Sequence, residues 1–294
     1  MNIFSIIIIV ILILVLLWGL KNIFFKTDIV YDIMLQANKL DSTDSEKIIK
    51  NSKLNENNTS NFMLSVWFYI DNWGANISNE KNILYMATNK NACNIDNLSF
   101  SNGISNKVTI KNNSKCVGNI RPSIDNSITD YNSNFRNLGI SLDKYENNLF
   151  LDIQTYTNNN TGSNTIGTSS DVVITRYKIS NIPVQKWNCL ILSIDTKTFD
   201  VYLDGKLINS FILHGIYKNN DPGKNIYLGN INDNLSFEGF ITRIRYDPYS
   251  INPEQAYNIY KEGINESLAK TLFNKYSLKV SFLEYNTEKG SFTI

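Results

Sequence analysis

The chain has 294 residues, and its 28 Lys and Arg against 27 Asp and Glu leave a formal charge of +1, so no global field recruits a polyanion and no nucleic-acid partner is expected. Hydrophobic residues at 43%, with 12% aromatics, suffice for a packed core and exclude a chain disordered throughout. Three Cys cannot make a disulfide framework, and one His with three Cys scattered far apart leaves almost nothing for a zinc site or a Ser-His-Asp triad.

Residues Ile3 to Leu20 are apolar apart from Ser5 and Gly19. As a helix the run spans roughly 27 Å, close to the hydrocarbon thickness of a bilayer. Trp18 stands where an interfacial aromatic belongs, and Lys21 and Lys26 follow it around Phe24 and Phe25. A membrane anchor over residues 1–26 follows, marked by Ile3, Trp18, Leu20 and Lys21. A cleaved signal peptide fits less well, because the segment lacks a basic start and a small-x-small cleavage site. Two lysines after the span put the C-terminal part on the cytosolic side by the positive-inside tendency. The chain holds 45 Asn, so its Asn-x-Ser/Thr triplets arise by composition and are not a sign of glycosylation. Cys93 and Cys116 can pair around a short β excursion, whereas Cys189 sits in an apolar run and reads as a core thiol.

Residues 27–60 turn polar and mixed in charge and are expected to form a stalk, with the patch Ile29, Val30, Ile33, Met34 and Leu35 either extending the helix or packing on the domain. From Asn61 the texture changes to short β-type runs separated by Asn, Gly, Asp and Ser. The runs are 62–70, 82–87, 107–111, 148–156, 172–179, 187–195, 199–203, 206–213, 225–228 and 237–246. In the first, Phe62, Leu64, Val66, Phe68 and Ile70 alternate with Met63, Ser65, Trp67 and Tyr69, the pattern of a strand covered on both sides. Trp67 and Trp187 are expected in the core. Asp204-Gly205 predicts a two-residue hairpin turn, since both central positions need positive φ.

Asn252-Pro253-Glu254 predicts a short helix with Ala256, Ile259 and Tyr260 on its apolar side and Gly263 at its end. A closing strand pair is expected at 278–283 and 292–294. The Asn-rich loops 89–105, 112–136 and 157–170 are where function would sit if it sits on loops.

Five pieces in a fixed order carry a resemblance: IPVQKW ending at Trp187, LILSIDTKTFDVYLDGKLINSFIL, NIYLGN, FEGFITRIRY and INPEQAYNIYKEG, with LSVWFYIDNW at Leu64 to Trp73 before them. Over residues 61–263 the chain resembles the concanavalin A-like, laminin-G-like jelly-roll superfamily. With its N-terminal span it looks like the membrane-anchored members of that superfamily encoded by nucleocytoplasmic large DNA viruses. The resemblance implies an all-β, two-sheet antiparallel jelly-roll sandwich, a single transmembrane helix before it and one short helix near the C-terminus. The expected layout is anchor 1–26, stalk 27–60, sandwich 61–263 and tail 264–294.

The laminarinase-type glucanases of this fold supply their carboxylates as Glu-x-Asp-x-x-Glu, which is absent here, so no catalytic residue is expected. Asp152, Asp195, Asp200 and Asp204 read as solvated strand-end carboxylates, and His214 as an edge residue. Calcium is the one cofactor considered, with Asp221 in Asn219-Asn220-Asp221 and Asp233 in the run 230–234 as candidate ligands, although turn-forming Asx residues account for both clusters. Arg243 and Arg245 are expected on a solvated strand face opposite Ile244 and Tyr246. The leading expectation is a noncatalytic single-pass membrane protein in a virion membrane or a host internal membrane. It would link that membrane to proteins of a capsid or shell. The alternative is a lectin-like module that holds a glycan or receptor on its loop rim, and a degraded hydrolase is the third class.

Overall fold

The computed structural model describes residues 29–39, 47–54, 60–74, 76–90, 92, 105–110, 114–117, 121–124, 135–156, 172–219, 223–231, 236–264, 279–284 and 287–293. Among the described residues no helix is long and apolar enough to cross a membrane, and the expected anchor, with Ile3, Trp18, Leu20 and Lys21, lies outside them. The described residues fall into two compact units, one within 29–261 and one within 262–294.

In the larger unit the elements begin with β1 (Ile29–Tyr31), β2 (Leu35–Gln36), β3 (Ile48–Ile49), β4 (Phe62–Asn72), β5 (Lys81–Ala87) and β6 (Ser105–Ile110). They continue with β7 (Ser114–Val117), β8 (Arg121–Ile124), β9 (Leu138–Leu142), β10 (Leu149–Tyr156), β11 (Val172–Ile179) and β12 (Trp187–Asp195). The last are β13 (Thr198–Leu203), β14 (Lys206–Ile212), β15 (Asn225–Leu228), β16 (Glu238–Asp247) and the helix α1 (Pro253–Lys261). The smaller unit holds the hairpin β17 (Lys279–Glu284) and β18 (Thr287–Thr293), the strand pair expected in the tail.

Two seven-stranded antiparallel sheets make the sandwich. The first runs β1-β16-β4-β12-β13-β14 with β2 also on β16, and the second runs β3-β15-β5-β9-β10-β11-β6. One apolar cluster joins them: Leu64, Val66, Phe68, Leu190, Leu192 and Ile194 from the first sheet meet Leu84, Met86, Leu138, Ile140, Leu151 and Ile153 from the second. The period-2 alternation of β4 sends its other side chains outward, so Trp67 is buried on the far face of the first sheet, where Tyr260 of α1 stacks on it at 5.8 Å. Trp187 is only half-buried, packed against Tyr69 at 5.6 Å. The helix starts in a reciprocal cap: Asn252 Oδ1 accepts from the Gln255 amide and Gln255 Oε1 from the Asn252 amide, both at 2.9 Å. Asp204 and Gly205 take φ of 51° and 74°, as the tight hairpin turn between β13 and β14 requires.

Three expectations need correction. The segment read as a stalk supplies β1 and β2 beside β16 and β3 beside β15, burying Tyr31, Leu35, Ile49 and Leu54. Gly229 fixes its seat: its φ is 58°, and a Cβ there would come within 2.4 Å of the Ala37 carbonyl, which accepts from the Asn230 amide at 2.9 Å. Second, β9 was not foreseen, because Gly139 interrupts its short run. Third, Arg243 is not on a solvated face: it sits at a β-bulge with φ of 47° and is buried, while Arg245 pairs with Asp247 at 2.9 Å.

Candidate functional site

The outer face of the second sheet carries an ion cluster that the register builds across strands. Tyr85, Gly139, Asp152 and Arg176 lie opposite one another on β5, β9, β10 and β11. Arg176, only 1% exposed, donates from Nε to Asp152 Oδ1 at 2.6 Å and from Nη2 to Oδ2 at 2.7 Å. On its other side Nη1 reaches Glu80 Oε1 at 2.6 Å and Nη2 reaches Oε2 at 3.1 Å. Its guanidinium also lies over Phe150 at 4.8 Å. Burial alone would favour the neutral guanidine, but Asp152 and then Glu80 more than reverse it, so the Arg176 pKa is raised.

This corrects the reading of Asp152 as a solvated strand end: it is buried in the middle of β10, where the register sets it against Arg176. Glycoside hydrolysis needs one carboxyl as a proton donor and a second that can act on the substrate or on water. Here one planar cation occupies both carboxylates, which is the arrangement of an internal ion cluster.

The other acidic candidates do local work. Asp195 accepts from Asn61 Nδ2 at 3.0 Å, Asp200 from Ser210 Oγ at 2.5 Å, and Asp204 from the Cys189 amide at 3.0 Å. His214 is exposed just past β14, and Cys189 is a buried thiol. Asp221 and Asp233, the calcium candidates, lie outside the described residues, as does Cys93. Of their neighbours, the Asn219 side-chain oxygen accepts from Lys224 Nζ and the Asn230 carbonyl accepts from Lys47 Nζ at 2.8 Å. Among the described residues no group of three or more His, Cys, Asp or Glu converges as a metal site would. The long loops proposed as functional, 89–105, 112–136 and 157–170, fall mostly outside the described residues.

What is described at one end of the sandwich is a tied set of shorter loops. The β9–β10 hairpin is joined to the β11–β12 loop by the Ile182 amide donating to the Asn147 carbonyl at 2.7 Å, and the Gln185 amide donates to the Ile70 carbonyl at 2.8 Å. Lys81 Nζ lies over Trp73 at 4.7 Å and donates to the carbonyls of Asp143 and Lys144 at 3.1 and 3.0 Å, joining β5 to the same hairpin. Burial lowers the Lys81 pKa, and Asp143 offsets part of that.

At the hairpin apex Tyr145 is 68% exposed, with Val184 and Ile77 exposed on the neighbouring loops. Polar groups surround the ring in sequence: Asn148 Nδ2 bridges Asp143 Oδ2 at 3.2 Å and Glu146 Oε2 at 2.6 Å. The Glu146 carboxyl is held below its usual range by Asn148 and then Lys178. An aromatic face on a short, internally bonded hairpin, flanked by amide and carboxylate oxygens, can stack on and hydrogen-bond a small polar surface. The sequence reading missed Tyr145, Glu80 and Arg176. Tyr145 belongs to a hairpin whose first strand went unrecognised, and the ion cluster depends on cross-strand register, which composition does not encode.

No protein-family model and no curated protein matches the chain. Among solved structures it is similar to the binding domain of Paraclostridial Mosquitocidal Protein 1, at 15% identity over 78% of this chain and 42% of that one, with a TM-score of 0.42. It is also similar to the receptor binding domain of botulinum neurotoxin D, at 12% identity over 73% of this chain and 40% of that one, TM-score 0.42. A third is the binding domain of botulinum neurotoxin DC in complex with rat synaptotagmin II, at 13% identity over 70% and 36%, TM-score 0.35. The chain therefore spans less than half the length of each of these structures.

Proposed function

We propose that this chain is a noncatalytic, lectin-like attachment module that holds a glycan on the loop rim around Tyr145, and that its apolar N-terminal run tethers it to a membrane. The observation that carries the binding half is the exposed Tyr145 ring on a hairpin tied to two neighbouring loops, so that presenting it costs little ordering on binding. The noncatalytic half is supported by Arg176, whose fork occupies both buried carboxylates of the ion cluster. The resemblance of residues 61–263 to concanavalin A-like domains is in keeping with a sugar-binding rim, whereas linking a membrane to a protein shell would not by itself call for an exposed aromatic apex. The tether rests on the apolar run Ile3 to Leu20.

The test is glycan-array binding by the full chain in detergent, repeated with Tyr145→Ala and with a chelator. The expected result is retention of a glycan class that falls at least tenfold in the variant while the unfolding midpoint is unchanged. Loss with the chelator would add calcium to the site. No glycan above background, or full binding by the variant, would overturn the reading. Flotation with lipid vesicles after a high-salt wash tests the tether, and a chain that stays at the bottom of the gradient refutes it.

A further inference from the structure

The strand register gives the sandwich two unlike ends. The Tyr145 hairpin stands where β4 finishes and β12 begins, since the Gln185 amide, just before β12, donates to the Ile70 carbonyl and the Ile182 amide to the Asn147 carbonyl. The opposite end gathers the start of β4 and the ends of β10, β12, β14 and β16. There the Leu213 amide donates to the Lys197 carbonyl at 2.7 Å and the Tyr156 amide to the Ile216 carbonyl at 2.9 Å. β1 starts at this same end, because Ile29 pairs with Arg245, two residues before β16 stops at Asp247. The chain therefore enters the domain roughly 30 Å, the nine residues of β12, from the Tyr145 rim.

The described surface of the entry end is apolar and basic. Ile212 is 80%, Tyr249 65% and Ile216 42% exposed, and Lys50, Lys53 and Lys197 are exposed in turns of the same end. Lys50 and Lys53 belong there because the Asn51 amide donates to Asn225 Oδ1 at 2.9 Å, and Asn225 stands opposite Ala87, where β5 stops. Among the described residues of these turns the carboxylates are Asp195, which accepts from Asn61 Nδ2 and Thr196 Oγ1, and Asp247, which accepts from Arg245 Nε.

We propose that this end lies against an anionic bilayer surface, as a second membrane contact beside the apolar N-terminal run, and that the Tyr145 rim consequently faces away from the lipid. The inference rests on the tether reading. Residues 21–28 are the whole connection between Leu20 and Ile29, and eight residues reach at most about 29 Å. To bring the Tyr145 rim to the lipid instead, that connection would have to run fully extended along the whole height of the sandwich. With the entry end down, the three ammonium groups meet anionic headgroups, Tyr249 lies at headgroup level as an amphipathic ring, and Ile212 and Ile216 reach the edge of the acyl layer. The orientation expected from Lys21 and Lys26 is the cytosolic one, and that leaflet carries the anionic lipids.

The test uses the full chain in vesicles of phosphatidylcholine and phosphatidylserine, against phosphatidylcholine alone. An environment-sensitive fluorophore is placed at Ile212→Cys, Tyr249→Cys or Tyr145→Cys, corrected for labelling of the wild-type cysteines, and lipids with a nitroxide on the headgroup quench it. The labels at 212 and 249 are expected to be quenched at least threefold more than the label at 145, and less in phosphatidylcholine alone. Lys50→Glu with Lys53→Glu and Lys197→Glu should remove that difference without moving the unfolding midpoint. Equal quenching at all three positions, or quenching unchanged by the charge reversal, overturns the proposal. So do labels at 212 and 249 that are shielded from water but not quenched, which assigns this end to a protein. Flotation of the same samples separates the two readings: a chain that floats with these labels unquenched sinks this inference alone, and a chain that stays at the bottom of the gradient sinks the tether with it.

Discussion

Replacing Arg176 by Met tests whether the carboxylate pair is an internal ion cluster. The change removes four short contacts, at 2.6, 2.7, 2.6 and 3.1 Å, to two carboxylates whose side chains are almost wholly buried. Stranding a buried charge by deleting its partner costs about 3–5 kcal/mol. In a domain of this size each kcal/mol lowers Tm by roughly 2–4 °C, so the expected drop is about 6–20 °C. With the cation gone, burial favours the neutral acids, so in the variant the folded-state carboxyl pKa values rise above their unfolded values. The added penalty is then full only above those raised folded-state values and shrinks as pH falls from them toward the unfolded carboxylate range near pH 4. Urea unfolding of Arg176→Met and wild type from pH 4 to 8 reads both effects. The triple variant Glu80→Gln, Asp152→Asn, Arg176→Met should recover most of the loss, because neutral polar groups replace the stranded charges. A deficit under about 1 kcal/mol, or one that does not change with pH, refutes the assignment.

Three further outcomes are expected. A chain begun at Asn61 loses buried Tyr31, Leu35, Ile49 and Leu54, each worth about 1.5–3 kcal/mol, and should unfold at a clearly lower urea concentration than one begun at Ile29. Equal midpoints would show that the N-terminal strands are dispensable. Burial pushes the phenols of Tyr177 and Tyr202 up to about 12, with Asp200 adding to the second. The folded chain holds these protons longer than the unfolded chain does, so their stabilisation is intact below pH 10 and is lost as pH rises through about 12. Phenolate absorbance during alkaline unfolding should show two late-titrating groups, one of which disappears in each of Tyr177→Phe and Tyr202→Phe. Gly205→Ala puts a Cβ 2.9 Å from Tyr260 Cβ and 3.2 Å from the Tyr257 backbone at a φ of 74°, and should lower Tm by several degrees. An unchanged Tm would mean that α1 gives way at no cost.

The sandwich was legible wherever alternation ran for several residues. The bounds expected for 172–179, 187–195 and 225–228 are those of β11, β12 and β15, and Asn252 with Pro253 marked the helix start. β1, β2 and β3 are two or three residues long, too short for a period to register, and only their pairing with β16 and β15 reveals them. The glycine of Leu138-Gly139-Ile140 masked β9, and with it the hairpin that carries Tyr145. Asp152 and Arg176 are 24 residues apart in sequence, and nothing local shows that β10 and β11 bring them to one row. The Arg243 bulge was equally hidden, since a shift of register flips a side chain without changing the composition of the strand.

Both broad surfaces of the sandwich are already clad: α1 lies over Trp67 on one, and Tyr85, Asp152, Gln154 and Arg176 are buried on the other. Among the described residues, anything that docks is left with the perimeter and a handful of apices. Footprints of that kind are narrow, so one contact would be fleeting and a durable grip would have to come from many copies acting together.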